Sequence, residues 1–427
     1  MKNKTVCVVG LGYIGLPTAA LLASAGYEVV GVDVSEHAVN TINQGKIHIV
    51  EPDLDAVVQA TVAAGRLRAC TSPHAADVYM ICVPTPFHEG TEIPQPNVEY
   101  VMAATRSVAG LLKRGDLVIL ESTSPVGTTL EMREMLAGQG VDVSSIHIAY
   151  CPERVLPGKI MTELVGNDRV VGGVTQADTR VAADFYRTFV KGQVLETDAK
   201  TAELCKLAEN SFRDVNIAIA NELSIICDEQ GIDVWKLISL ANHHPRVNIL
   251  QPGAGVGGHC IAVDPWFIVA KSPASARLIR AAREVNNHKT EWAVNKISET
   301  MTAATQRLGR PARLACLGLA FKPDIDDLRE SPSLQIARAI KASGRQVVAV
   351  EPNIEAHDEF DIVSLENALA SADVIAVLVK HKQFCDLHAI KRLLSAGAID
   401  FCGALTRGKN RRPASTSQLA AAPYLEP

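Results

Sequence analysis

The sequence predicts an α/β fold, with a doubly wound domain at each end of the chain and an all-helical domain between them. Short β-branched runs alternate with helical patterns in both terminal parts, which is typical of parallel sheets buried on both faces. Between them, residues 199–230 and 276–305 contain neither glycine nor proline and predict two long helices. A length of 427 residues agrees with two or three domains.

The first doubly wound domain is predicted over residues 1–198. A strand at 5–9 runs into the turn GLGYIG, a helix from Leu16 to Ala25 follows, and a second strand ends at Asp33. This N-terminal stretch is apolar, but its glycines and a proline make it a poor membrane span or signal peptide. Four more apolar runs are predicted as strands: 78–84, 117–122, 146–153 and 169–173.

Gly10, Gly12 and Gly15 form a GxGxxG fingerprint between the first strand and the first helix. In that setting the glycines tighten the turn and let the backbone approach a pyrophosphate at the helix N-terminus, as in Rossmann-like domains. Asp33 follows roughly 20 residues on, where it is placed to bind a ribose. Because no arginine follows Asp33 to accept a 2′-phosphate, the sequence predicts NAD rather than NADP.

The central domain is predicted over 199–306, and its long helices offer a dimerisation surface for a homodimer. A second Rossmann-like domain, predicted over 307–410, has no GxGxxG fingerprint. Its strands are expected at LACLGLAF, QVVAVEP, VIAVLV and AIDFCG, with helices near 333–342 and 365–371. The small and polar residues 411–427 predict a disordered tail.

The composition narrows the class of function. A hydrophobic content of 47% with 21% charged residues is ordinary for a globular protein, and a net charge of -5 gives no support for a nucleic-acid or membrane partner. The ten cysteines show no CxxC pair, so neither a zinc site nor a disulfide framework is indicated. We therefore expect a cytoplasmic, soluble protein without a metal.

Lys206, Asn210 and Arg213 are spaced at i, i+4 and i+7 and share one face of the predicted helix 199–230. Neighbours such as Leu207 show that the helix also has apolar surface to bury. A polar stripe of this kind either faces solvent or lines a cleft, and the spacing leaves both alternatives open.

Cys260 lies in the loop GAGVGGHCIAVDPWF, after four glycines. A metal ligand is disfavoured, because only His259 is adjacent and no second cysteine or histidine stands at ligand spacing. An inert cysteine and a nucleophile remain open. Backbone amides in a glycine loop favour an accessible thiolate, and Asp264 is placed to position a lysine or a water. In an NAD-dependent enzyme such a nucleophile predicts oxidation beyond the aldehyde.

Seven motifs, in order along residues 3–408, resemble those of the UDP-glucose/GDP-mannose dehydrogenase family. The resemblance implies an NAD-binding domain, a central dimerisation domain and a nucleotide-sugar domain. It also implies two-step oxidation of the C6 alcohol of a nucleotide sugar to a carboxylate, through a thiohemiacetal and a thioester on Cys260. The motifs are GLGYIGLP, VPTP, ESTSPVGTT, CPERVLPG, ELCKLAENSFRDVNIAIANE, GVGGHC and GLAFKPDIDDLRESPS.

The resemblance assigns roles position by position. The catalytic set is a nucleophile, an acid–base or oxyanion-holding lysine with its asparagine, and three groups that handle water: Cys260, Lys206, Asn210, Thr123, Glu153 and Asp264. With the fingerprint glycines, the NAD-binding set is Gly10, Gly12, Tyr13, Ile14, Gly15, Asp33, Thr85, Thr123 and Arg329. The set expected to bind the UDP-sugar substrate is Arg154, Val155, Lys206, Asn210, Arg213, His244, Arg246, Gly257, Phe321, Lys322 and Arg407.

The loop around Cys260 also bears on the substrate. The segment CIAVDPWF differs from the Cys-Phe-Pro-Lys-Asp type of the UDP-glucose enzymes, and with NHHPRVNIL it is most similar to the branch that oxidises UDP-N-acetyl-D-mannosamine for surface polysaccharides. UDP-N-acetylglucosamine is the next candidate, because the segment of its enzymes is similar but usually has proline where Ala262 stands here, and UDP-glucose is the third. The glycines at 253, 255, 257 and 258 are expected to let the loop close over the sugar.

Two other classes of protein are weighed against this family. A two-domain hydroxyacid or imine reductase would share the glycine turn and the lysine–asparagine helix, but it needs neither Cys260 nor a second nucleotide-type domain. A catalytically inactive nucleotide-sugar-binding protein has no need of Cys260, Lys206, Asn210 and Asp264 together.

Overall fold

The protein's structure is a computed structural model that describes residues 4–88, 90–91, 93–156, 158–258 and 260–406. Two compact units are present, one within residues 1–215 and 260–283 and the other within residues 216–259 and 284–427. Arg407 and the predicted tail lie outside the described residues. In the described ranges no helix is long and apolar enough to cross a bilayer. The division into three domains at residues 198 and 306 stays a prediction.

Eight strands form one sheet in the first unit: β1 (Thr5–Val9), β2 (Glu28–Val32), β3 (Leu67–Cys70), β4 (Val78–Ile81), β5 (Leu117–Leu120), β6 (His147–Tyr150), β7 (Arg169–Gly173) and β8 (Val194–Asp198). Their order across the sheet is β3-β2-β1-β4-β5-β6-β7-β8. The six predicted strands are confirmed. The strands β3 and β8 were not predicted, because they form the two edges of the sheet and contain exposed residues, so neither LRAC nor VLETD is a continuous buried apolar run.

One neighbouring pair, β6 and β7, is antiparallel, whereas the other pairs of this sheet are parallel. The chain leaves β6 towards Glu153 and enters β7 at Arg169, and the side chains of these two residues contact each other at 2.5 Å. The segment between them therefore stays at the end of the sheet where β6 finishes. Because the chain does not cross back to the end where β6 starts, β7 runs in the opposite direction.

The helices that alternate with these strands are α1 (Gly15–Ser24), α2 (Glu36–Asn43), α3 (Leu54–Ala63), α4 (Glu99–Val108), α5 (Thr128–Gly138), α6 (Ile160–Gly166) and α7 (Gln176–Tyr186). They are followed along the chain by α8 (Ala199–Gln230), α9 (Val234–Ala241), α10 (Asp264–Lys271) and α11 (Arg277–Leu308). The two long predicted helices are confirmed as α8 and α11. The short helix α10, which follows Cys260, was not predicted.

The central strand β1 shows why the predicted strands are continuously apolar. Val6 and Val8 belong to a core cluster that includes Leu16 of α1. Cys7 and Val9 belong to a different cluster, which includes residues of α4 and α5. Because successive side chains of a strand point to opposite faces, helices on both faces bury all four residues from Val6 to Val9.

The second unit contains a parallel four-stranded sheet with the order β10-β9-β11-β12, formed by β9 (Arg313–Leu317), β10 (Gln346–Val350), β11 (Val374–Val377) and β12 (Ile399–Asp400). Its helices α12 (Pro332–Ala342), α13 (Leu365–Ser371) and α14 (Leu387–Ser395) follow α11. Glu351, after β10, accepts hydrogen bonds from the amides of Leu319 and Ala320 at 2.7 and 3.0 Å. The parallel order of these four strands confirms the predicted second Rossmann-like sheet.

The glycine loop at residues 253–258 is tightly packed at Gly257 and Gly258, within the second unit. A Cβ on Gly257 would lie 2.4 Å from the carbonyl oxygen of Glu330, and one on Gly258 would lie 2.8 Å from the ring of Phe321. Side-chain-free backbone is therefore required at these two positions for close packing. This is a different reason for the glycines than the predicted closure over a sugar, which stays a prediction.

Gly257→Ala is expected to lower the free energy of unfolding by about 1–3 kcal/mol, because the added methyl group meets backbone that has little room to move. Gly253→Ala is the matched control, since the nearest atom to its Cβ position is 3.6 Å away. The control should change stability by less than about 1 kcal/mol. Chemical denaturation measures both variants, and equal losses would contradict the packing explanation.

Candidate active site

The glycine turn after β1 has the local geometry of a pyrophosphate site. Gly10 has a φ of 92°, and a Cβ on Gly15 would lie 1.8 Å from the carbonyl oxygen of Gly10. The Cβ position of Gly12, in contrast, has no atom within 4 Å, so its backbone faces open space. Asp33 holds the turn, since its Oδ2 accepts a hydrogen bond from the Leu11 amide at 2.9 Å. Open backbone at the N-terminus of α1 fits an anionic dinucleotide.

Thr85 and Thr123, both predicted to bind the cofactor, are brought together in the first unit. The Thr85 hydroxyl donates a hydrogen bond to the Thr123 carbonyl at 2.7 Å. They lie in the loops after the parallel neighbours β4 and β5, hence at the carboxyl edge of the sheet. This is the edge at which doubly wound sheets bind their ligands.

Asp264 connects the predicted catalytic residues of α8 with the loop that carries Cys260. Its Oδ2 accepts a hydrogen bond from the side-chain amide of Asn210 at 2.5 Å. Its backbone amide donates to the Cys260 carbonyl at 2.8 Å, which places Cys260 one turn before α10. Lys206 is buried on α8, and its charge acts on Asp264. The structure therefore brings Cys260, Lys206, Asn210 and Asp264 into one region.

Asp264 is strongly affected by its burial. Its residue is 3% exposed, and burial raises its pKa to about 6, against the opposite effects of the Lys206 charge and the Asn210 hydrogen bond. It therefore exchanges its proton just below neutral pH. A carboxyl group of this kind, beside an ammonium group and one turn from a cysteine, suits proton transfer at an active site.

Glu203 is a residue of this region that the sequence did not predict. It is fully buried on α8, three residues before Lys206. Its carboxylate accepts hydrogen bonds from the amides of Gly127 and Thr129 at 2.6 and 2.8 Å, at the start of α5. These contacts fix α8, and so Lys206 and Asn210, against the first sheet's domain. Glu203 stands at i, i+3 and i+7 spacing with Lys206 and Asn210, which indicates that the three share one face of α8. Glutamates on helices are usually exposed, however, so this spacing does not by itself predict a buried residue.

Glu153, predicted to handle water, has a buried side chain after β6. Its Oε2 pairs with Arg169 at 2.5 Å, and its Oε1 accepts a hydrogen bond from the Arg154 amide at 2.6 Å. The sequence does not predict a role for Arg169, although an arginine at the start of an apolar strand is a signal of a buried charge. Burial lowers the pKa of Arg169, but Glu153 and other acidic neighbours raise it more, so the guanidinium stays charged.

Two predicted arginines have acidic partners within their own units. Arg154 pairs with Glu209 at 2.7 Å and also donates to the carbonyl of Asp168. Arg329, in the second unit, pairs with Asp327 at 2.6 Å. Their contacts with substrate and with NAD stay predictions.

The remaining predicted ligand-binding residues are exposed or half-buried and are distributed over both units. Those of the first unit are Tyr13, Ile14, Val155 and Arg213, and those of the second are His244, Arg246, Gly257, Phe321 and Lys322. Across the described ranges, no group of three or more histidine, cysteine or acidic side chains is arranged to hold a metal ion.

Three domains of one enzyme family match the chain. The NAD binding domain of the UDP-glucose/GDP-mannose dehydrogenase family matches residues 4–190, its central domain residues 200–288, and its UDP binding domain residues 315–406. The chain belongs to this family. It is therefore an NAD-dependent dehydrogenase of nucleotide sugars, in which the turn at Gly12 with Asp33 would hold NAD, the hydride acceptor.

Relatives within the family cover nearly the whole chain. The UDP-N-acetyl-D-mannosamine dehydrogenase of Escherichia coli K12 is 55% identical over 403 residues, which span 90% of this chain and 95% of that protein. The NDP-N-acetyl-D-galactosaminuronic acid dehydrogenase of Ralstonia nicotianae is 53% identical over 414 residues, or 94% of this chain and 96% of that protein. The predicted family resemblance is confirmed.

A solved structure of the same family confirms the fold. The UDP-D-ManNAc dehydrogenase from Pyrococcus horikoshii aligns with a TM-score of 0.84 at 37% identity, over 95% of this chain and 96% of that chain. The α/β architecture with two Rossmann-like sheets and helical segments between them is therefore that of the family.

Asp264→Asn is expected to remove a pH-dependent cost to folding. Because burial raises the pKa of Asp264 from 3.8 to about 6, the folded protein binds this proton more tightly than the unfolded chain does. The wild-type protein should therefore lose stability relative to the variant as pH rises from about 4 to 6, by at most about 3 kcal/mol. Urea unfolding of both proteins across this range measures the difference, and a constant difference would contradict the assignment.

Proposed function

We propose that this enzyme oxidises the C6 alcohol of UDP-N-acetyl-D-mannosamine to the carboxylate in two successive steps, as a precursor for surface polysaccharide. The contact between Asn210 and Asp264, one turn from Cys260, carries the proposal, because it gathers a cysteine, an ammonium group and a carboxyl group. The identity of 55% with a UDP-N-acetyl-D-mannosamine dehydrogenase supports the choice of sugar.

The first oxidation requires a base for the C6 hydroxyl proton. Lys206 takes this role in the proposal, or a water held by Thr123 and Asp264, whose pKa of about 6 lets it accept a proton near neutral pH. NAD, when bound, accepts the hydride of each step. Lys206 and Asn210, one helical turn apart on α8, then offer a cation and an amide donor to the developing oxyanion.

The second oxidation requires a covalent bond to the enzyme. The Cys260 thiolate adds to the carbonyl carbon of the bound aldehyde, and the resulting thiohemiacetal loses hydride to become a thioester. Water, positioned by Glu153 and Asp264, attacks the thioester and releases the carboxylate and the Cys260 thiol. One sugar and one water thus yield one carboxylate, two hydrides and three protons.

The expected substrate preference separates the proposed reaction from its alternatives. We expect the highest kcat/KM with UDP-N-acetyl-D-mannosamine, by at least about tenfold over UDP-N-acetylglucosamine and UDP-glucose. A nucleotide-linked N-acetylgalactosamine is a further candidate, because the Ralstonia relative with 53% identity is named for the corresponding uronic acid. Absorbance of NADH measures all four sugars, and a preference for any of the other three would overturn the assignment of the sugar.

We also propose that the enzyme is a homodimer that associates through α8. Ile219 and Ile226, seven residues apart on one face of this helix, are 47% and 39% exposed. Replacing both with glutamate should convert a dimer into a monomer in sedimentation experiments, because buried charge opposes association. A wild-type monomer, or a dimer that persists in this variant, would contradict the proposed interface.

The scattered cysteines fit a reducing compartment, so we propose the cytoplasm as the location, which cell fractionation tests.

We also propose that Phe321 and Lys322 of the second unit contact the nucleotide sugar.

A further inference from the structure

A cluster of buried ionisable side chains lies beside Glu153 at the carboxyl edge of the first sheet. Glu121, directly after β5, is 3% exposed, and its Oε1 accepts a hydrogen bond from the Tyr186 hydroxyl at 2.7 Å. The Cys82 thiol lies 3.3 Å from its Oε2. The Arg169 guanidinium lies 5.7 Å from the centre of the Tyr186 ring and pairs with Glu153. Contacts therefore run without interruption from Glu121 to Glu153.

The charges in this cluster do not balance unless one proton is held. Among the described residues that face Glu121, the titratable ones are Cys82 after β4, Cys151 and Glu153 after β6, Arg169 of β7 and Tyr186 of α7. Burial raises the pKa of the Cys151 thiol to about 12 and those of Cys82 and Tyr186 well above their usual values, so these three are neutral. One cation thus faces two carboxyl groups.

Glu121 is the group that holds the proton. Burial, and next the charge of Glu153, raise the pKa of Glu121 to about 7. Glu153 has the direct ion pair with Arg169, whereas Glu121 has only neutral partners at hydrogen-bond distance. Below neutral pH the cluster is therefore electrically balanced, with Glu153 and Arg169 as its two charges.

We propose that Glu121, Tyr186 and Arg169 form a positioning network for the hydrolytic step, in which protonated Glu121 leaves Glu153 as the single carboxylate opposite Arg169. This inference rests on the proposed function, where Glu153 positions the water that attacks the thioester. The three residues are positioning residues, because they act through Glu153.

Loss of the proton from Glu121 has a specific consequence for hydrolysis. The second buried carboxylate competes with Glu153 for Arg169 and opposes the negative charge that forms when water attacks the thioester. Hydrolysis should therefore slow by about fivefold as pH rises through the titration of Glu121. The first oxidation depends on Lys206 and Asp264 and should not follow this titration.

The test follows the acyl adduct on Cys260 by rapid quenching and intact-protein mass spectrometry, with UDP-N-acetyl-D-mannosamine and NAD, from pH 6 to 9. In Glu121→Gln the rate at which the adduct decays should no longer fall as pH rises, because the amide does not titrate. In Tyr186→Phe the fall should move to higher pH, because the Tyr186 hydrogen bond lowers the pKa of Glu121. Tyr79→Phe is the matched control, since this buried tyrosine instead accepts a hydrogen bond from the Ala76 amide at 2.9 Å.

The outcomes distinguish a failure of the positioning network from a failure of the proposed function. A fall that persists in Glu121→Gln, or a Tyr186→Phe profile that matches the control, would overturn the network while the adduct itself upholds the proposed function. Should Glu121→Gln fail to fold, Tyr186→Phe alone carries the test. The absence of any adduct on wild-type Cys260 would overturn the proposed function and the network with it.

Discussion

The candidate active site depends on one buried carboxyl group, that of Asp264. Burying this group without partners would cost several kcal/mol, but the Asn210 amide at 2.5 Å and the nearby charge of Lys206 offset part of that cost. The remaining cost appears as a pKa raised to about 6. The same group begins α10 and bonds through its backbone to Cys260. Asp264 therefore contributes to the protonation of the site through its buried carboxyl group, and to the position of Cys260 through its backbone amide.

The fold followed from the sequence wherever burial decides the pattern. Strands such as β1, covered on both faces, appear as continuous apolar runs, and α8 is marked by the absence of glycine and proline. The edge strands β3 and β8 were missed because they are half exposed. The sequence does not predict the reversal of direction at β7 for another reason: it depends on the end of the sheet at which the chain re-enters, and hydrophobic periodicity carries no information on strand direction.

The site was predicted only in part. Lys206 and Asn210 share a helical face that the spacing shows, while the role of Cys260 came from the family resemblance. The sequence does not predict roles for Glu203, Arg169 and Glu121, because charged side chains are usually exposed. These three side chains are buried beside partners that are distant in sequence, such as Thr129 for Glu203. The glycine pattern predicts loop movement at residues 257 and 258, whereas the structure shows that close packing already requires glycine there.

In the proposed mechanism, Cys260 carries the second of two oxidations, one helical turn from Asp264. The most direct measurement is the number of NADH molecules formed per UDP-N-acetyl-D-mannosamine consumed, compared between wild-type enzyme and Cys260→Ser. We expect two NADH and one uronate per sugar for the wild type, and no uronate from the variant. Unchanged formation of uronate by Cys260→Ser, or one NADH per sugar in the wild type, would contradict it.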